Sequence, residues 1–414
     1  EMQRLTGVEN PNSVYQLLDW LESRGYKPDS LGKTQVKELI KTAKEPVKSV
    51  LEMRLQLSKS SVKKYTAMKQ TACRDNRARG MFSFYGASRT GRWAGRNIQL
   101  QNLPQNHLED LTEARELVKT GSFDDVQMIY DDVPDTLSQL IRTAFIPRQG
   151  MKFIVADFSA IEARVIAWLA DEQWVLDAFA NNKDLYCETA SRMFGVPVEK
   201  HGINGELRQK GKQCTLSCSY GGAKGALIAM GAIDSGMKED ELQPLVIAWR
   251  EANPNIVRFW HSLEQCAMKC IKEKTVTKTN RLTFSYEAGF LFIELPSGRR
   301  LAYAKPRIGE NKFGGESITY MGINAQKKWD RLETFGGKIA ENVCQAVARD
   351  LLMYSMQTLS HCFIVATVHD EIIIEASKDM SLDVVCQQMA RTPKWAEGLI
   401  LRADGYECEY YKKD

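Results

Sequence analysis

At 414 residues, 43% of them hydrophobic, the chain is long enough to bury a large core in more than one domain or subdomain, and it has no apolar run near the ~20 residues a membrane span requires. A net charge of +4 excludes an argument for nucleic-acid binding from bulk charge alone, so any such surface must come from where the charges sit. The N-terminus Glu1-Met2-Gln3-Arg4 carries no apolar leader, and the ten cysteines include no Cys-x-x-Cys pair, which point to an intracellular protein with reduced, structural thiols rather than a secreted or zinc-binding one. The pairs Cys214/Cys218 and Cys266/Cys270 sit in helical-looking segments without histidines at ligand spacing.

Residues 1 to about 75 read as polar helices: Val14 to Leu21, Val36 to Ile40, and a longer Val47 to Tyr65 run with Leu51, Leu55 and Leu57. Basic residues dot the last of these (Lys48, Arg54, Lys59, Lys63, Lys64), as a solvated helix face would. Residues 105–138 form an acidic, helical excursion. Strand character returns at Lys152–Ala156, where an apolar run carries Asp157 to its end.

Ser159-Ala160-Ile161-Glu162 then matches a capping box, in which the serine caps a helix and the glutamate reaches back to it. Helical pattern continues to about Trp260, broken at Gly195-Val196-Pro197 and Gly221-Gly222. Within it, Arg208, Lys212, Leu216 and Tyr220 recur at i+4 steps, a single stripe about 18 Å long at ~1.5 Å per residue. The stripe is cationic at its start and apolar at its end. That grading suits a nucleoside triphosphate, with phosphates on Arg208 and Lys212 and base or sugar on Leu216 and Tyr220; a basic solvated face with apolar residues turning inward is the plainer alternative. No Gly-x-x-x-x-Gly-Lys-Ser/Thr occurs, which disfavours a P-loop NTPase.

Two β-rich runs flank Pro296-Ser297-Gly298, a hairpin signal, and a helix follows from about Gly337 to Gln357. The last motif is Phe363–Val368, His369-Asp370-Glu371, Ile372–Glu375: two apolar strands meeting at an acidic turn. Strands that each deliver a carboxylate to an end can lie side by side and converge on Mg²⁺, which binds through one or two carboxylates plus substrate phosphates. A pair of such ions clamps the attacking and leaving oxygens of an in-line phosphoryl displacement. A polar turn and an ordinary helix start would account for each motif taken singly.

"DFSAIEAR", "RQKGKQCTLSCSYGG" and "VHDEIIIE", in this order and with these gaps, resemble motifs A, B and C of the family A (DNA polymerase I-like) DNA polymerases. "TGRWAGRNIQLQNLP" resembles the family's primer-template segment and "GGKIAENVCQAVARDLL" its palm helix, and the chain looks most like the bacteriophage branch. The resemblance implies an α+β right-hand fold, with thumb at 1–75, palm at 76–170 and 321–414, and fingers at 171–320. It implies Asp157 and Asp370 as ligands of two Mg²⁺ ions, with Mn²⁺ able to substitute, assisted by the Phe158 carbonyl. Glu371 becomes an accessory carboxylate at the primer end, and Glu162 the gate that excludes a ribose 2′-hydroxyl.

By the same resemblance, Arg208 and Lys212 hold the triphosphate, with Lys212 the proton donor to pyrophosphate, and Tyr220 lies at the base of the insertion site. Arg92, Gln345 and His369 match contacts to primer or minor groove, with Gln99, Gln101, Asn102 and Asn342 as weaker template-primer candidates. Donors such as Arg92 and Gln345 meet minor-groove acceptors common to all base pairs, so they check shape without reading sequence. Three positions depart from the family. Leu216 stands where Phe or Tyr is usual, Tyr186 where a phosphate-contacting histidine is frequent, and the 105–138 excursion has no counterpart in the shortest members.

The expected activity is addition of dNMP to a primer 3′-hydroxyl with release of pyrophosphate, by a cytoplasmic monomer working on primer-template DNA and dNTPs, with replication accessory proteins as further partners and no membrane. For a phage-encoded enzyme the compartment is the host cytoplasm. Because the thumb-like segment begins almost at residue 1, no proofreading by this chain is expected. The rivals are reverse-transcriptase-like synthesis on the same fold, a metal-dependent nuclease, and an inactive primer-template binding protein.

Overall fold

In the computed structural model, which describes residues 1–58, 63–130, 132–311 and 314–413, the chain divides into two compact units. The first comprises Glu1–Phe82, Gly95–Pro147 and the residues from Glu409 onward. The second comprises Ser83–Ala94 and Arg148–Cys408. Among the described residues no helix is long and apolar enough to cross a membrane.

The first unit is helical. Leu17, Trp20 and Leu21 recur at i, i+3, i+4 on the helix Val14–Ser23, so one face is apolar and packs with Val36, Val47, Val50 and Leu51 from the two helices that follow. Ser13 starts that helix by accepting the Gln16 N–H at 3.4 Å. Lys59 and the side chain of Leu57 lie outside the described residues. The acidic excursion forms three helices, Leu111–Lys119, Phe123–Ile129 and Val133–Gln139, the last two capped by Ser122 and Asp132. Arg142, 2% exposed, ties the end of this region down by donating to the carbonyls of Pro104 (2.7 Å) and Leu103 (2.6 Å) and to the Tyr411 hydroxyl (3.0 Å).

In the second unit the strands run β1 (Met151–Phe158), β2 (Thr277–Thr279), β3 (Leu282–Glu287), β4 (Phe290–Glu294), β5 (Arg300–Glu310), β6 (Glu316–Ile323), β7 (Trp329–Thr334), β8 (Ile364–Val368), β9 (Glu371–Ser377) and β10 (Ala403–Cys408). Strands β2 to β7 form a six-stranded antiparallel meander in chain order. The four-stranded sheet has the order β8-β9-β1-β10, all antiparallel. Its helices include α1 (Ile161–Ala170), α2 (Leu185–Phe194), α3 (Leu207–Cys218), α4 (Pro254–Glu273) and α5 (Gly336–Thr358).

Register in the four-stranded sheet follows from the period of two. Ile154, Ala156 and Phe158 on β1 and Ile372, Ile374 and Ala376 on β9 point one way, into the main core with α1, α4 and α5. Asp157 and Glu371 therefore share the opposite face, directly across from one another. That face is buried too along the strand cores, at Phe153, Val155 and Ile373, and Glu371 is itself 2% exposed. The described helix containing Arg208 ends at Cys218, so Tyr220 sits in the turn beyond it, before Gly221 at φ 80°.

The capping box is not formed. The N-cap of α1 is Ala160, in the left-handed region at φ 51°, with no side-chain cap bond. Ser159 is instead a backbone connector: its N–H donates to the Arg402 carbonyl (2.9 Å) and its carbonyl accepts from Arg164 Nε (2.7 Å). Ser159→Ala should thus shift stability by less than about 0.5 kcal/mol, whereas Ser13→Ala, which removes a formed cap, should cost about 1 kcal/mol. Urea denaturation of the two variants beside the parent checks the contrast.

Candidate active site

The acidic end of the sheet is built from a strand end and a turn. Asp157 is the penultimate residue of β1, and Glu371 opens β9 rather than standing in the turn. Asp370 sits in that turn after His369, which takes a left-handed φ of 58° to reverse the chain. The Phe158 N–H points at the Asp370 carbonyl, 3.4 Å away, so the turn is tied to the end of β1. Three carboxylates and the Phe158 backbone thus lie within adjacent residues of two paired strands. The donors are all hard oxygens, which fit a small divalent cation. Among the described residues no group of three or more His, Cys, Asp or Glu is preassembled around a metal position, and an ion completed by substrate phosphates needs none.

Glu162, on the first turn of α1, is fixed by two other motifs. Arg92 Nη2 donates to one carboxylate oxygen at 2.6 Å and the Tyr220 hydroxyl to the other at 2.9 Å. Burial keeps the proton on Tyr220, helped by the Cys344 and Glu162 groups beside it. Arg92 is held in turn by its segment: Arg349 of α5 donates Nε to the Gly91 carbonyl at 3.0 Å and stacks on Trp93 at 4.8 Å. Asp350 next to it accepts from Arg299 Nε at 2.8 Å, and Arg299 reaches the Tyr85 hydroxyl at 3.1 Å.

The cationic helix α3 lies on α2. Gly211 makes the approach feasible, since a Cβ there would clash with the Tyr186 carbonyl. The Tyr186 ring then lies under both cations of the stripe, 5.3 Å from the Arg208 guanidinium carbon and 6.0 Å from Lys212 Nζ. Asp184 caps α2 by accepting the N–H groups of Tyr186 and Cys187, both at 3.0 Å, and also takes Arg208 Nε and Nη2 at 3.0 and 2.8 Å. Burial alone would raise the Asp184 carboxyl, yet the Arg208 bond and the two N–H groups bring it below its ordinary range. Leu216 is 47% exposed, an apolar side chain at the surface one turn beyond Lys212.

The remaining candidates sit in varied settings. Gln345 on α5 donates to Glu341 at 3.3 Å. Asn342 is 6% exposed and gives its amide to the Tyr303 hydroxyl at 3.0 Å, so touching DNA would require leaving that bond. Gln99, Gln101 and Asn102 belong to the first unit, where Gln99 at φ 56° starts a single 3₁₀ turn, Leu100–Asn102. Cys214 and Cys218 are buried in the core face of α3, and the Cys214 thiol is pushed up by its hydrogen bond with Cys218 and by burial.

Sequence reasoning missed Asp184, Arg299, Arg349 and Asp350, all of which hold a candidate residue or its segment. The charged pair Arg349-Asp350 inside an apolar helix run was the available signal.

An antiparallel sheet with Asp157 and Glu371 across from one another, and a helix that presents an arginine and a lysine at i, i+4, agree with the right-hand class of nucleic-acid polymerases. The model of DNA polymerase family A matches residues 1–396, and the chain belongs to that family. It is 51% identical over 420 residues to a DNA polymerase of Bacillus phage SP02, covering 100% of this chain and 65% of the relative. It is 27% identical over 251 residues to the thermostable DNA polymerase I of Thermus aquaticus, covering 59% of this chain and 25% of the relative. The POL domain of Pol1 from M. smegmatis, solved with DNA primer-template and dNTP, shares the fold at a TM-score of 0.63 and 19% identity, covering 99% of this chain and 62% of that one. The chain thus spans less than two thirds of the length of each of these relatives. Family A DNA polymerases are metal-dependent.

Proposed function

We propose that the chain is a template-directed DNA polymerase that adds dNMP to a primer 3′-hydroxyl and releases pyrophosphate, acting as a monomer on primer-template DNA. The observation that carries this reading is the β1–β9 register, which sets Asp157 across from Glu371 with Asp370 adjacent. In this reading residues 1–75 are the thumb, 76–170 and 321–414 the palm, and 171–320 the fingers.

Asp157, Asp370 and the Phe158 carbonyl are the groups that would hold two Mg²⁺ ions, or Mn²⁺ in their place. Bound there, the ions supply activation of the 3′-hydroxyl and charge neutralisation on the departing pyrophosphate. Glu371 stands at the primer end. Arg208 and Lys212 bind the triphosphate, for which Arg208 exchanges Asp184 for phosphate oxygens, and Lys212 gives a proton to pyrophosphate as the bridging P–O bond breaks. Tyr186 supports both cations through its ring and stands near the phosphates without a charge of its own.

Leu216 and Tyr220 bound the sugar and base, and Glu162, locked by Arg92 and Tyr220, fills the space a 2′-hydroxyl would take. Arg92, Gln345 and His369 face the primer or the minor groove, with Gln99, Gln101, Asn102 and Asn342 as further template-primer contacts. A nuclease needs the carboxylates but has no use for a cation pair seated on an aromatic ring.

Primer extension with Mg²⁺, each dNTP set against its rNTP on DNA and RNA templates, tests the reading. DNA-templated extension with dNTPs is expected to outrun the other combinations by at least about a hundredfold. Primer degradation without added nucleotide, or equal use of RNA templates, would replace it.

A further inference from the structure

We propose that the outward row of edge strand β7, from Trp329 through Arg331 to Phe335 just past its end, is a binding track for single-stranded template DNA ahead of the insertion site; the inference rests on the polymerase reading above. Strand β7 is the last of the six-stranded sheet, so among the described residues one of its edges has no strand beside it. Alternation sends Leu332 and Thr334 inward, opposite Tyr320 and Ile318, and leaves Trp329, Arg331 and Glu333 on the outward face. Phe335 continues the extended chain at φ −146°, ψ 172° on that side.

The row is unusual for its exposed rings. Trp329 is 61% exposed, its cross-strand partner Ile323 59%, and Phe335 49%. Around them the charge is cationic: Arg331 lies between, Arg307 is exposed on the same face opposite Thr319, and Lys327 and Lys328 are exposed at the turn before Trp329. Arg331 is steadied by bonds from Nη1 to Thr319 Oγ1 (3.1 Å) and the Lys305 carbonyl (3.3 Å). The nearby carboxylates are occupied, Glu333 by Ser317 at 2.8 Å and Asp330, on the other face, by Asn324 at 3.2 Å.

Flat rings that stack any base, interleaved with cations that follow a phosphate backbone, are how proteins bind single strands without reading sequence. The row runs about 20 Å at ~3.3 Å per residue. Its inner end is at the candidate site: a Cβ on Gly221 would meet the Phe335 ring at 3.5 Å, and the backbone of Gly337 abuts the Tyr220 carbonyl. Rings and cations together fit a nucleic-acid strand better than an apolar protein partner.

Fluorescence anisotropy of the full chain on two primer-templates tests this, one with a single-stranded 5′ template overhang of about ten nucleotides and one with about one. The Trp329→Ala/Arg331→Ala variant should bind the long-overhang DNA about tenfold more weakly, with unchanged affinity for the short one and unchanged KM for dNTP. Trp329→Phe should restore most of the difference. Equal weakening on both DNAs, or no weakening on either, would overturn the track, the latter pointing to a protein partner. A parent chain that extends no primer would instead remove the polymerase reading, and the track with it.

Discussion

Asp157→Asn is expected to lower the single-turnover rate of primer extension by a factor on the order of 10³, and Asp370→Asn to do the same. The substitution keeps the shape of a residue at a strand end and removes only the charge, so the β1–β9 register and the core face of Ile154, Ala156 and Phe158 should survive. Stability should move the other way. Carboxylates directly opposite on an antiparallel pair repel, and relieving the Asp157–Glu371 opposition should stabilise the metal-free protein by about 0.5 kcal/mol. Added Mg²⁺ should raise the thermal midpoint of the parent more than that of the variant, because a ligand stabilises only the state that binds it. A variant within tenfold of the parent rate, or one that melts earlier without metal, would contradict the assignment.

Glu162→Ala should have the second largest effect, in two measurements at once. Discrimination against ribonucleotides, read as the ratio of kcat/KM for dNTP over rNTP, should fall by a factor on the order of 10². The same change strips partners from Arg92, at 2.6 Å, and from the half-buried Tyr220 hydroxyl, at 2.9 Å, and leaving such a donor unsatisfied costs about 1 kcal/mol. Glu162→Gln separates the two effects. Its amide can still accept from Arg92, and its N–H₂ can donate to Tyr220 once the hydroxyl turns, so stability should largely return while the side chain still fills the sugar-facing space. Loss of selectivity without loss of stability in the alanine variant would mean that Glu162 reaches the sugar unaided by Arg92 and Tyr220.

The sequence made some of this legible and hid the rest for physical reasons. The strands around Asp157 and Asp370 announced themselves because their cores, Phe153-Ile154-Val155 and Ile372-Ile373-Ile374, are unbroken apolar runs, as strands buried on both faces must be. Strand β10 did not, because Asp404-Gly405-Tyr406-Glu407 is half exposed and takes its structure from pairing with β1 rather than from its own pattern. The six-stranded meander was visible only at its Pro296-Ser297-Gly298 hairpin.

Ser159-Ala160-Ile161-Glu162 was misleading because a four-residue pattern cannot show that Arg92, 70 positions away, outcompetes the local partner for the glutamate. Tyr186 neighbours Arg208 and Lys212, but its place as a ring beneath them depends on the packing of α2 against α3 at Gly211, which no spacing reveals.

Among the described residues, the strands that pair with β1 both follow it by more than 200 positions, β9 on one side and β10 on the other. During synthesis it must therefore wait, unpaired, until residues 371–377 have left the ribosome, and closing so long a loop makes its assembly one of the slower steps of folding. Under the proposed function, catalytic competence is a late kinetic event: a nascent or prematurely terminated product that stops short of β9 would lack the paired carboxylates with which to act on nucleotides.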